Sequence, residues 1–199
     1  MLFFLMLFAM TRMSNVDKEK VASGIQSTVV SKSAREEAGK DRLQKKQREE
    51  EAVRGIQRAI SEGTLAGSAH VTVDEKTVKI TLNPTAFFAI GSATISKSTE
   101  YALDDIMEPI RAFPNDIIIE GHTDNVPVRG GAFRSNWELS VARAVSVINF
   151  FTSRGLYSRQ MIAGGYGEYH PAYPNDSEEN RAKNRRIEIT ILRQPGGDR

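Results

Sequence analysis

Two charged side chains, one in a loop and one on the helix after it, are the strongest candidates for chemistry in this chain. The loop is Glu120-Gly121-His122-Thr123-Asp124, directly after the apolar run Ile117-Ile118-Ile119. A carboxylate that leaves a strand into a loop stands where side chains meet ligands rather than pack. Arg143 lies on the following helical stretch between Ala142 and Ala144. Small neighbours are expected to leave its planar fork of donors accessible along its length. If that helix packs back on the strand, Asp124 and Arg143 face one pocket. The same spacing equally allows an internal salt bridge between them.

Other chemistries find little support. Cysteine is absent, which removes a disulfide framework, a thiolate metal site and a cysteine nucleophile together. His70, His122 and His170 do not place two ligands at metal-binding spacing on one helix, so no metal or cofactor is expected. Ser140 has no histidine near it in sequence, and a hydrolase needs a nucleophile or a paired acid and base. Gly164-Gly165 reads as a tight strand approach rather than a phosphate cradle. A net charge of +2 in 199 residues gives no reason to expect nucleic acid.

The elements that must position these groups follow from periodicity. His70 to Val73 and Thr77 to Leu82 alternate with period two around Asp74-Glu75-Lys76, a hairpin pattern. Leu103, Ile106, Met107 and Ile110 have helical spacing, with Pro109 in the last turn and Pro114 beyond it. Asp116 to Glu120 suits a buried strand. Ser135-Asn136-Trp137-Glu138 matches a capping box, and Val141, Ala144, Val145, Ile148 and Phe151 form the expected buried stripe of the helix it starts. Trp137 is either a pocket wall or a packing residue at that helix start. Met161 to Tyr166 reads as a strand, Glu178 to Lys183 as a helix, and Arg186 to Ile191 as a final strand. Strands alternating with helices predict an α/β (α+β) sandwich, with helices on one face of a mixed sheet.

Upstream, Leu2 to Met10 is an uninterrupted apolar run that stops at Thr11-Arg12. A nine-residue helix spans roughly 14 Å, about half of a ~30 Å hydrocarbon core. Residues 1–12 are therefore expected to be the distal part of a transmembrane helix whose beginning lies upstream of Met1. Between there and residue 66, acids precede bases by four at Glu36/Lys40, Asp41/Lys45 and Glu50/Arg54, the orientation that supports a solvated helix. Val53, Ile56 and Ile60 give its last turns an apolar edge. Glu62-Gly63 and Ala66-Gly67-Ser68 break the pattern. The expected division is a linker over 13–66, a domain over 67–194 and a flexible tail over 195–199.

The motifs E-G-H-T-D (120–124), N-W-E-L-S-V-A-R-A (136–144), G-Y-G-E (165–168) and R-A-K-N-R-R-I-E-I (181–189) resemble the OmpA-like peptidoglycan-binding family. F-A-I-G-S-A (88–93) is similar to that family's opening segment. Within the family, G-H-T-D-N-V-P-V (121–128) followed by S-N-W-E-L-S (135–140) is similar to flagellar motor stator B subunits of the MotB/PomB type. The apolar run at 3–10 is like the end of those subunits' single membrane helix.

The resemblance implies a β/α/β/α/β domain and a non-catalytic function: holding the cell wall so that an ion-driven torque generator does not rotate. The implied ligand is the peptidoglycan stem peptide, typically its diaminopimelate, whose free end is a zwitterion. By position, Asp124 would accept the ammonium and Arg143 would hold the carboxylate bidentately. Thr123 and Leu139 would add backbone or rim contacts, Asn136 a side-chain amide contact, and Arg185 would close the pocket. Arg186 reads as structural. The resemblance further implies a stator A-type membrane subunit as partner, a homodimer, and single-pass placement in the bacterial inner membrane with the domain in the periplasm. Residues 13–32 would occupy the place of a plug. No Asp or Glu precedes Asp17, so the ion-accepting residue of that family would lie upstream of Met1. The rival reading is an OmpA-like anchor of another inner-membrane machine, such as a secretion system. A lipoprotein is disfavoured because there is no cysteine to lipidate, and a barrel because no alternating strands precede the domain. A cell-wall hydrolase is the remaining class.

Overall fold

The computed structural model describes residues 15–83, 87–129 and 131–193. The expected membrane segment, residues 1–12, and the tail lie outside them. Among the described residues no helix is long and apolar enough to cross a membrane. Contacts divide the chain between Gln47 and Arg48 into two compact units.

Helix α1 (Asn15–Glu62) supplies the described part of the first unit. There Arg35 and residues 37–44 are exposed, as mixed-charge spacing expects of a solvated helix. The second unit begins at Arg48, earlier than the boundary expected at 67. Its extra residues are the apolar edge of α1: Ala52, Ile56 and Ile60 are buried in the same core as the sheet. Glu49 adds an ion pair to Arg193, just beyond the last strand.

That sheet has five strands: β1 (Ala69–Val73), β2 (Thr77–Leu82), β3 (Ile117–His122), β4 (Met161–Gly167) and β5 (Arg186–Leu192). Their spatial order is β1-β2-β5-β3-β4, antiparallel except for the parallel β3–β4 pair. The β1–β2 turn is tied by Asp74, whose carboxylate accepts from the Lys76 and Thr77 amides and the Thr77 hydroxyl.

Period-two alternation decides the faces. Val78, Ile80 and Leu82, Ile117 and Ile119, and Ile187, Ile189 and Ile191 are all buried on one side. Against them pack Leu103, Ile106 and Ile110 of α2 (Lys97–Ile110) and Ala144, Val147 and Phe151 of α3 (Asn136–Ser153). The opposite side carries Lys79, Glu120, His122, Arg186 and Glu188. The result is the mixed-sheet α+β sandwich the sequence predicts.

Two details shift. β3 runs on through Gly121 and His122, two residues beyond the expected end, because both pair with β5. The buried stripe of α3 is also rotated: Ser140, Arg143, Ala144, Val147 and Phe151 are buried, whereas Val145 is exposed. The cause is close approach. A Cβ on Gly121 would collide with the backbone carbonyl of Ser140, so the glycine lets α3 settle onto β3 with its Ser140/Arg143 edge inward.

Candidate functional site

The loop after β3 is pinned before it reaches Asp124. The Thr123 amide donates to the Gly167 carbonyl at the end of β4, and its hydroxyl donates to the Asp124 carbonyl. Asp124 is 6% exposed. One of its carboxylate oxygens accepts from the Val126 amide at 3.0 Å and the other from Arg185 Nη1 at 2.6 Å.

Asn136, the first residue of α3, is the hub between the loops. Its buried amide nitrogen donates to the Asp124 carbonyl (3.2 Å), the Val126 carbonyl (3.0 Å) and the Glu168 carboxylate (2.7 Å). The helix starts there because the Ser135 hydroxyl accepts from the Glu138 amide. The Glu138 carboxylate, however, accepts from the Arg134 amide rather than closing the expected reciprocal box on Ser135.

Arg185 ends α4 (Glu178–Asn184) and bridges two acids, Asp124 and, at 2.8 Å, Glu178. Burial opposes the charge on Arg185, but hydrogen bonds to Asp124 and Glu178 outweigh it and raise its pKa. Hydrogen bonds from Arg185 and Arg181 lower that of Glu178.

Arg143 corrects the sequence reading. It is 6% exposed, not accessible along its length. Its small neighbours allow α3 to pack closely, and that packing buries the side chain. The guanidinium lies over the Phe88 ring, 5.2 Å from its centroid. Nε donates to the Ser92 carbonyl at 2.9 Å and Nη2 to the Ala89 carbonyl at 3.5 Å. Among the described residues it has no carboxylate partner; Asp124 is paired with Arg185 instead. Burial, then the nearby charge of Arg185, push the Arg143 pKa down to about 10, with Asp124 acting weakly the other way.

The structure therefore gathers Thr123, Asp124, Asn136, Arg143 and Arg185 around the β3–α3 loop and the end of α4. Leu139 is buried, and its amide donates to the Ser135 carbonyl, so it supports the helix start instead of offering a rim. Sequence reasoning did not anticipate the Ala89 and Ser92 carbonyls, Glu168 or Glu178 as neighbours. The motifs F-A-I-G-S-A and G-Y-G-E contained the first three, with no sign of what they would touch.

Two cavities lie by the polar face of the sheet. One, of about 590 Å³, has Arg185, Arg186, Glu188 and Tyr173 in its walls. The other, of about 350 Å³, is lined by Lys79, Glu120, His122, Tyr166, His170 and Arg186, among others. Arg185 alone links the first to the cluster above. His122 is buried against Tyr166, and neither of its ring nitrogens has a hydrogen-bond partner among the described residues. No group of three metal-binding side chains occurs among the described residues.

Comparison with known proteins gives this arrangement a family. A model of the OmpA family matches residues 87–185. The uncharacterized protein YtxE of Bacillus subtilis (strain 168) is 32% identical, over 96% of this chain and 82% of its own length. Motility protein B of the same organism is 36% identical over 69% of this chain, which spans about half (53%) of that protein. A solved putative MotB like protein from Desulfovibrio vulgaris superposes with a TM-score of 0.67 at 28% identity, over 73% of this chain and 94% of that one. The cell wall anchor of the T6SS from Pseudomonas aeruginosa gives 0.66 at 28% identity, over 70% and 97%. This chain belongs to the OmpA family, and its domain is of the MotB type.

Proposed function

We propose that this chain grips peptidoglycan without catalysis, through a dipolar site made by Asp124 and Arg143. The observation that carries the reading is Arg143: a guanidinium almost wholly buried, held by two carbonyls, with no carboxylate of its own among the described residues. Buried charges are ordinarily paired, because desolvation is expensive. A ligand carboxylate would supply the missing partner, and the planar fork can hold it bidentately. The ammonium of the same zwitterion would go to Asp124, taking over the place of Arg185. Arg185, a quarter exposed and already shared with Glu178, is the cation best able to give way. Thr123, Asn136 and Leu139 would position the two charged groups. Diaminopimelate in the stem peptide has the required chemistry.

The larger assignment rests on the motility protein B relative. In it the chain would hold an ion-driven stator to the cell wall from the inner membrane, as a homodimer partnered by a stator A-type subunit, with residues 13–32 as a plug. The likeness to the T6SS cell wall anchor favours a second reading, an anchor of a secretion machine. An adjacent gene for a four-helix membrane partner would support the first, and neighbouring secretion genes the second.

The binding step is tested by co-sedimentation of the 199-residue chain with purified sacculi. The wild-type chain should pellet, and Arg143→Ala with Asp124→Ala should stay in solution while keeping its fold. Undiminished binding by the double variant would refute the site, and release of muropeptides by the wild type would refute the non-catalytic reading.

A further inference from the structure

Beside the dipolar site stands a feature that the stem peptide does not explain. Trp137 and Tyr169 are 51% and 68% exposed, yet their rings touch, with centroids 5.7 Å apart and planes tilted by 49°. Exposed Trp and Tyr rings in contact make an amphipathic surface of the kind enriched at recognition sites. The pair is also rigidly mounted. Trp137 follows the buried hub Asn136 on the first turn of α3, and Tyr169 follows Glu168, whose carboxylate accepts from Asn136. Gly167 brings the two backbones together: its φ is +54°, and a Cβ there would stand 3.1 Å from the Trp137 amide nitrogen. The Tyr169 amide closes a turn onto the Tyr166 carbonyl.

We propose that Trp137 and Tyr169 form a stacking platform for a pyranose ring of the glycan strand, with Glu168 accepting a sugar hydroxyl. The inference rests on the peptidoglycan reading and extends it from the peptide to the sugar. A pyranose has an apolar C–H face that matches an aromatic ring and an equatorial rim of hydroxyls that matches a carboxylate. Continuity supports this occupant, since Asn136 touches both the Asp124 loop and Glu168. Covalent linkage supports it too: the stem peptide is attached to a sugar of the glycan strand, so a clamped peptide tethers its own sugar to the same face of the domain.

Trp137 is the single tryptophan of the chain, so its fluorescence reports the platform directly. The 199-residue chain is titrated calorimetrically, with the Trp137 emission of the wild type recorded alongside, against a diaminopimelate stem peptide and, separately, against the same peptide carrying its disaccharide. The disaccharide form should bind about tenfold more tightly and shift the Trp137 emission, whereas the bare peptide should leave the emission unchanged. Trp137→Ala and, independently, Tyr169→Ala should erase the gain while keeping stem-peptide affinity. Equal affinity for the two ligands, or an equal emission shift from the bare peptide, would overturn the sugar platform and leave the dipolar site standing. Failure of the wild-type chain to bind either ligand would overturn the dipolar site and the platform with it.

Discussion

Replacing Arg143 by methionine should separate stability from binding. Holding the guanidinium charged although its pKa is pushed down to about 10 costs the empty protein about 3 kcal/mol. Methionine removes that cost and can still lie along Phe88. It also takes the Arg143 donor from the Ser92 carbonyl, at about 1–3 kcal/mol at most, while the Ala89 carbonyl still accepts from the Ser92 amide. The two effects nearly cancel, so the unfolding free energy of Arg143→Met should stay within about 2 kcal/mol of wild type. Binding has no such compensation. Losing the cation that meets a desolvated carboxylate should cost about 2–5 kcal/mol, or roughly 30- to 4,000-fold in affinity. Urea denaturation gives the first quantity and sacculus co-sedimentation the second. A variant that unfolds outright would show that Arg143 is a structural keystone. One that still binds sacculi like wild type would show that the ligand lies elsewhere.

Three further outcomes follow from the packing. Burial and the charge of Arg186 push the His122 pKa down to about 4, while in the unfolded chain it takes the ordinary 6.5. Between those values the unfolded chain binds the extra proton, so stability should fall as pH drops from 6.5 toward 4, by on the order of 3 kcal/mol. His122→Asn should flatten that limb, and an unchanged slope in denaturation curves would contradict it. Gly121→Ala forces a methyl into the Ser140 carbonyl, so α3 must move and thermal stability should fall by at least about 1–3 kcal/mol. Ser135→Ala removes the hydroxyl that accepts from the Glu138 amide and should cost about 1 kcal/mol, read by urea titration with ligand binding weakened only slightly.

Much of this architecture was legible because its signals are local. The β1–β2 hairpin has alternation on both sides of an aspartate that ties its own turn, and β2 matches the expected Thr77–Leu82. The apolar edge of α1 was visible too, but a glycine-rich break after Glu62 looked like a domain edge. Only the contacts show Ile56 and Ile60 buried with the sheet. Arg143 illustrates the harder case. Flanking alanines are compatible with an open arginine or with a helix pressed flat, and the choice was made by Gly121, on another element. The Asp124–Arg185 pair joins residues 61 apart, and the carbonyls that hold Arg143 belong to backbone, which carries no side-chain signature.

The central claim is that Arg143, buried and without a carboxylate partner among the described residues, awaits the carboxylate of a zwitterion. It is tested most directly by calorimetric titration of the 199-residue chain with two diaminopimelate stem peptides, identical except that in one the terminal carboxylate of the diaminopimelate side chain is an amide. The free acid should bind and the amide should lose at least about 2 kcal/mol of affinity; equal binding of the two would contradict the account.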